Sequence, residues 1–489
     1  MKELGVLCHI TSLKSDYGVG DFGRSARDFI DFLSENNVSI WQILPLNETN
    51  EYNCPYASTC YFSFDEMFVD PDQLLADGKI REEDLVWLKK SMNFKKVNYQ
   101  LCKHEKRQLL EKAYSYLDEY TKNRVEEYSQ THSWIKDYAY YKTLLEYHNT
   151  RDWRDIEKEY WNRLSPESIK FTKKNIDTIN KYVYFQYLLD HQWQALRSYA
   201  KLKNVKIMGD LPIYPAPNSF DVCNSIENYQ VDRETLLPIV FGGVPKDDFS
   251  VTGQNWETCI YDWDNLKKNK YKYLIEKIQL MLDRYDILRL DHFLGYTEHY
   301  EINASKISTG KWIKAGGEEF FTALFKKVDK SRIVVEDLGV NKPEANKVKK
   351  KFDLIGMSVL QLGLGGKLNN KYLPHNVDSD SIYYLNTHDN NTYIGYLKSL
   401  SRAEKNEVCV MLDIKKQNDK KMLVSTIKKM LSSASDVVIL QVQDLLMQGE
   451  KFRMNTPGVQ ANCWEYRVPK NYKQKVLSTL NLIKNNTQN

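Results

Sequence analysis

Five apolar segments of the 489-residue chain run into acidic side chains. Val205–Ile213 holds Gly209-Asp210, and Ile287–Phe293 holds Arg289-Leu290-Asp291-His292. Ile333–Leu338 holds Glu336-Asp337, Ser381–Thr387 leads into His388-Asp389-Asn390, and Asp436–Val442 leads into Gln443-Asp444. Buried, unpaired carboxylates are costly, so apolar strands do not end in charge for packing reasons. An Asp after a strand often caps the next helix. That reading suits any one of these residues, but convergence suits the set, with Arg289 and His388 alongside. Carboxylates gathered at one mouth fit glycosidic bond cleavage, which takes one carboxylate held ionised as nucleophile and another kept protonated as acid. Arg289 and Asp291 are two apart on a strand and share a face, and a neighbouring guanidinium lowers a carboxyl pKa. Asp291 is therefore the expected nucleophile. Glu336, after Ile333-Val334-Val335, is the expected acid; its structural alternative is a salt bridge.

These residues need a scaffold to bring them together. Eight apolar runs recur: Gly5–Ile10, Ser39–Leu46, Val205–Ile213, Ile287–Phe293, Ile333–Leu338, Met357–Leu364, Ser381–Thr387 and Asp436–Val442. Most do not alternate with polar residues, the pattern of strands covered on both faces in a parallel sheet. Amphipathic segments at Arg24–Glu35, Lys270–Arg284 and Glu318–Val328 lie between them. Eight such units predict an α/β chain folded as a (β/α)8 TIM barrel, its catalytic groups at the carboxyl ends of the strands. A doubly wound sheet is the alternative on strand count.

The spacing is uneven. Residues 47–200 predict an inserted, mainly helical subdomain, with helical patterns at His104–Gln130 and Thr178–Asn204. Residues 214–266 carry Pro215, Pro217, Pro238, Pro245 and Gly242-Gly243 and read as an inserted loop region covering substrate. Residues 1–489 then make one catalytic domain, with a frayed tail at Lys484–Asn489.

Composition removes other classes. Lys+Arg of 69 against Asp+Glu of 65 leaves a net charge of +4, too little for a polybasic nucleic-acid binder. A mean hydropathy of −0.58 and no long apolar run argue against a helical membrane span. The short apolar stretch Leu4–Cys8 makes a poor signal peptide, so a cytoplasmic protein is expected. The eight cysteines contain no C-x-x-C pair, and reduced thiols are expected. The 33 Tyr, 18 Phe and 10 Trp supply rings for the core and for stacking on sugars. Gly363-Leu364-Gly365-Gly366 lacks the third glycine of a dinucleotide fingerprint. Asp262-Trp263-Asp264 lacks the glycine and closing Glu of an EF-hand, and no His/Cys spacing supports a metal site.

Longer motifs extend the reading. Gly5-Val-Leu7, His9-Ile-Thr-Ser-Leu13 and Tyr17-Gly-Val-Gly-Asp-Phe-Gly23 open the chain. Trp41-Gln-Ile-Leu-Pro-Leu46, Pro55-Tyr56, Gly209-Asp-Leu-Pro-Ile-Tyr214, Gly243-Val-Pro245, Thr252-Gly-Gln254, Trp256 and Tyr261-Asp-Trp263 follow. Arg289-Leu-Asp-His-Phe293, Val335-Glu-Asp-Leu-Gly339, Tyr372-Leu-Pro-His-Asn376, Thr387-His-Asp-Asn390 and Arg453-Met-Asn-Thr-Pro-Gly458 complete the series. In these the chain resembles the 4-α-glucanotransferases (amylomaltases, or disproportionating enzymes) of glycoside hydrolase family 77, in the α-amylase clan. Only residues 65 to 190 carry little that matches.

The resemblance implies a barrel with inserted subdomains and no separate C-terminal β-domain. It implies Asp291 as nucleophile, Glu336 as general acid/base and Asp389 as a third carboxylate gripping sugar hydroxyls. Arg289 would orient Asp291 and keep it ionised, and His388 would hydrogen-bond the sugar. Asp210 would be a structural or substrate contact at the mouth. Tyr56 and Trp256 would offer stacking faces, and His292 and Asn390 would join the substrate site. Asn462, Trp464 and Arg467 would support it. The implied activity is retaining transfer of α-1,4-glucan segments between maltose, maltotriose and maltodextrins, with no cofactor. The alternatives are a mainly hydrolytic α-glucanase and a non-catalytic glucan-binding protein. The chain departs from the family pattern at Leu294 (usually Arg), Asn391 (usually Asp), Asp248 (usually Tyr) and Glu257-Thr-Cys259 (usually Gly-Asn-Pro). Pro215, Pro217 and Asn218 also break it.

Overall fold

Each of the eight apolar runs forms a strand. The computed structural model describes residues 2–91, 95–245, 253–303, 310–340 and 342–484. The strands are β1 Glu3–Leu7, β2 Ile40–Gln42, β3 Lys206–Leu211, β4 Ile287–Leu290, β5 Ile333–Val335, β6 Gly356–Val359, β7 Ser381–Tyr384 and β8 Val437–Gln441. They lie side by side in the order β5-β4-β3-β2-β1-β8-β7-β6, all parallel. The gap between β5 and β6 is spanned by one parallel bridge, Val334 with Ile355. There Val335 N–H donates to Ile355 O at 2.9 Å. The Asp337 carboxylate reinforces this seam, accepting from Met357 N–H at 2.8 Å and Lys349 Nζ at 2.9 Å. The result is a (β/α)8 barrel, the architecture that alternating units predict, and not a doubly wound sheet.

The non-alternating runs are buried because both faces of each strand are covered. Strands β2, β5, β6 and β7 are buried at every position. Arg24–Glu35 is a helix at the expected residues and buries Ala26, Phe29, Ile30, Phe32 and Leu33. Every strand is shorter than its apolar run, and β6 and β7 show how a run continues past its strand. Met357–Leu364 is extended only to Val359, and Leu360–Gly363 turns as a helix. Ser381–Thr387 is extended only to Tyr384. Beyond the strand ends Leu360, Gly363 and Leu385 are buried, and Gln361 N–H donates to Leu385 O at 3.1 Å.

Between β2 and β3 the chain forms helices at Pro71–Ala76, Glu83–Ser91, Tyr99–Ser115, Glu119–Thr131, Ile135–His148, Pro166–Lys174 and Ile176–Leu202. The pattern at His104–Gln130 is two helices rather than one, since Asp118 caps the second by accepting from Thr121 N–H. Ile176–Leu202 leads into β3 and carries two clamps. Gln186 exchanges hydrogen bonds with the backbone of Phe64, and Gln192 with that of Asp70. These tie the insert to the loop after β2, which carries Tyr56.

Residues 214–266 differ from the loop expectation. Val240–Val244 and Gln254–Cys259 are strands, joined with Glu298–Asn303 and Gly310–Lys314 in a four-stranded antiparallel sheet. The sequence reading did not single out the hairpin after β4. Gly242-Gly243 is not a turn. A Cβ on Gly243 would come within 2.2 Å of Gln254 O, so the glycine allows close backbone approach inside a strand. Asp248, and the tail beyond Lys484, lie outside the described residues. All eight cysteines are free, and no helix among the described residues is long and apolar enough to cross a membrane.

Candidate active site

Strand register builds the charged centre. Asp210 of β3 is the register partner of Arg289 of β4. Directly opposed residues share a face, so the guanidinium meets this carboxylate. Arg289 Nη1 donates to both Asp210 oxygens at 2.8 Å and to Asp291 Oδ1 at 2.8 Å. Tyr56 OH completes the Asp210 shell at 2.6 Å. The Asp210 side chain is 0% exposed and that of Asp291 is 23% exposed, so Asp291 is the one that faces the cleft.

Glu336 follows β5, and its backbone continues the ladder, Glu336 N–H donating to Leu290 O at 3.0 Å. His292 adopts φ 45°. This left-handed turn aims His292 N–H at Glu336 Oε2, 2.9 Å away, while Leu338 N–H donates to Oε1 at 3.0 Å. Burial pushes the Glu336 carboxyl up to about 8, with Arg289 opposing and Asp291 adding. Burial likewise pushes Asp291 up to about 7, opposed by Arg289 and reinforced by Asp210 and Asp389. Arg289, in contact with Asp291, places it first to ionise. A pair that loses protons in that order has an anion and an acid available together.

Asp389 is gripped from three sides. Asn455 Nδ2 donates to Oδ1 at 2.6 Å, His388 Nε2 lies 3.2 Å from Oδ2, and Arg453 Nη2 donates to the Asp389 carbonyl at 2.9 Å. Burial lowers the pKa of His388, with Asp389 opposing. The His388 ring lies flat on Tyr56, with centroids 5.0 Å apart and planes 8° apart.

These groups surround a cavity of about 650 Å³. Tyr56, Trp256, Arg289, Asp291, His292, Glu336 and Asp389 line it. Three expected site residues stand back from that lining. Asp210 is enclosed by Arg289 and Tyr56. His388 is 3% exposed, between Tyr56 and Asp389. Asn390 turns its Oδ1 onto the Thr387 N–H and hydroxyl. Trp256 meets the His292 ring edge to face at 4.8 Å.

Three departures from the family pattern face the cavity: Leu294, Glu257 and the Pro217-Asn218 pair. The last is fixed from the helical insert, Trp153 Nε1 donating to Pro217 O and Tyr141 OH to Asn218 O. Asn391 is inside, its Oδ1 buried without a hydrogen bond. The sequence reading missed Asn455 and Arg453 as partners of Asp389. Their motif was visible, but only the fold brings it to β7. Trp464, expected as support, lines the cavity. Among the described residues no three His, Cys, Asp or Glu side chains are grouped to hold a metal ion.

Comparison with known proteins agrees with this geometry. Residues 8–473 match the family model described as 4-alpha-glucanotransferase. A 4-alpha-glucanotransferase of Aquifex aeolicus is 33% identical over 480 residues, covering 97% of each chain. One from Clostridium butyricum is 34% identical over 469 residues, covering 95% of this chain and 96% of the other. The solved structure of a Streptococcus agalactiae amylomaltase in complex with acarbose superposes with a TM-score of 0.93 at 29% identity, covering 99% of each chain. A charged centre set by strand register, on a barrel that these relatives share from end to end, places the chain in the 4-α-glucanotransferase family, glycoside hydrolase family 77.

Proposed function

We propose that this 4-α-glucanotransferase works by retaining double displacement, with Asp291, Glu336 and Asp389 as its catalytic carboxylates. The supporting observation is the asymmetry of the pair. Asp291 touches a guanidinium, whereas Glu336 is held by two backbone N–H groups and forms no ion pair among the described residues. Asp291 attacks the anomeric carbon while the Glu336 proton passes to the leaving oxygen, which departs as the shortened glucan. The 4-hydroxyl of an acceptor sugar then gives its proton to Glu336 and displaces Asp291, restoring both groups. One glycosidic bond breaks and one forms, so no electron carrier or outside energy source is required.

Asp389 is proposed to hold sugar hydroxyls at the cleaved bond, positioned by Asn455 and His388. Tyr56 and Trp256 are proposed to stack on glucose rings, and His292 to line the same subsite. Asp210, His388 and Asn390 act from behind the lining: Asp210 by fixing Arg289 and Tyr56, His388 by backing Tyr56, Asn390 by shaping its loop. The substrates are α-1,4-glucans; maltose, maltotriose and maltodextrins are the proposed donors and acceptors, and the cytoplasm the proposed compartment. Leu294 puts an apolar wall where the family pattern has a cation, which is expected to weaken acceptor binding.

Incubation with maltotriose tests the reading. Free glucose plus a lengthening ladder at constant total reducing ends is expected. Rising reducing ends without longer products would make the protein a hydrolase. Sugar binding with no turnover would make it a binding protein.

The pH dependence follows from the same pair. The acid limb of kcat/KM is the protonation of Asp291, which removes the nucleophile as pH falls below about 7. The alkaline limb is the ionisation of Glu336, which removes the acid as pH rises above about 8. A narrow bell between these values is expected for transfer at saturating acceptor. A flat profile from pH 5 to 10 would remove these two groups from those roles.

A further inference from the structure

We propose that a groove behind the Asp389 loop binds the phosphate group of a sugar phosphate. The groove lies between the helix Tyr393–Ser399, which follows β7, and residues 446–452, which follow β8, with the C-terminal helix Tyr472–Lys484 at its side. Lys398, Lys451 and Lys475 line it, one from each of these segments, and all three are exposed. Among the described residues none of the three is in an ion pair. The one carboxylate in the lining, Glu450, is within electrostatic range of the Arg453 guanidinium and favours its charged form. Three cations from three separate segments therefore face a single acid whose charge is shared with Arg453.

The place matters as much as the charge. In (β/α)8 barrels the loops after the seventh and eighth strands, with the N-terminus of a short extra helix, form a recurrent phosphate site. Here the groove lies beside the same segments but is lined from within Tyr393–Ser399, and lysines take the place of the helix N-terminus. Three ammonium groups with rotatable donors suit phosphate oxygens, and their combined charge finds no counter-charge on a neutral glucan. The floor is apolar, with Leu446, Met447 and Phe452, and Lys451 lies over the Phe452 ring at 5.0 Å. That floor suits the body of a sugar rather than a bare ion.

Both walls also lead directly to Asp389. Tyr393–Ser399 begins four residues after it, and residues 450–452 run into Arg453 and Asn455, which hold its carbonyl and carboxylate. A ligand spanning the groove joins the two segments that fix this carboxylate, yet touches none of the cavity lining.

Titration calorimetry at fixed ionic strength tests the site, with inorganic phosphate and α-glucose 1-phosphate as probes. Saturable binding of phosphate-bearing probes is expected, with the sugar phosphate tighter. Equal affinity would assign the site to free phosphate, the same chemistry from another source. Lys398→Ala and Lys475→Ala are each expected to weaken binding about tenfold, the loss of one charge-assisted hydrogen bond. Their transfer rate on maltotriose without phosphate should match wild type, which shows that they are folded and separates this result from the catalytic reading. Absence of saturable binding with either probe, or unchanged affinity in both variants, would overturn the proposal. So would heat on adding maltotriose that these variants abolish.

Discussion

Asp291→Asn is expected to lower transfer from maltotriose by about 10⁴-fold or more while leaving the fold intact. Loss of a residue that acts with a partner removes the whole concerted step, so the effect is of that order. Glu336, still protonated, has no anion to act beside it. Stability should not fall with activity, because the wild-type centre pairs one guanidinium with two carboxylates, the enclosed Asp210 and the cleft-facing Asp291. Removing one negative charge relieves the repulsion from Asp210 and Asp389 that raises the Asp291 pKa. Arg289 keeps both bonds to Asp210. The expected outcome is a midpoint in denaturant at or slightly above wild type, with product formation lost. A variant retaining a tenth of the wild-type rate would show that Asp291 is not the nucleophile.

Asp210→Ala is expected to do the reverse, costing stability first. Breaking a buried pair by removing one partner typically costs about 3–5 kcal/mol, because the other charge is left buried. Here Tyr56 OH also loses its acceptor. Arg289 then has only Asp291, which becomes more acidic, and Tyr56 loses its anchor beneath His388. Chemical denaturation should show the loss directly. The acid limb of the pH profile should move to lower pH, because Asp210 no longer opposes ionisation of Asp291. A profile that does not move would mean that Asp210 acts through shape alone. Asp210→Asn separates the two effects, keeping the acceptor for Tyr56 while losing the charge.

The chain displays its barrel plainly because burial on both faces writes itself as continuous apolar runs, and each of the eight became a strand. Asp291, Glu336 and Asp389 were legible for the same reason: charge at the end of an apolar run has few structural uses. The pairing of Asp210 with Arg289 was not, because register between residues 79 apart in the chain leaves no mark in local spacing. The small antiparallel sheet was hidden in the same way. Gly242-Gly243 looks like a turn, and only the approach of Gln254 explains it as strand. Asn455 lies 66 residues from Asp389. No periodicity joins them, and the contact exists because β7 and β8 are neighbours in the ring.

Adjacent residues of an extended chain face opposite ways, and the two acids that follow β5 divide accordingly. Glu336 looks into the cleft. Asp337 looks outward and fastens the one place where the ring is joined by a single bridge. The proton donor thus stands beside the sparsest seam of the barrel among the described residues, laddered to β4 on one side and tied to β6 through its sequence neighbour on the other. Local opening has its lowest cost where backbone pairing is sparse, so this seam is expected to loosen on warming before the helices around it melt. Activity would then fall with temperature ahead of helix content.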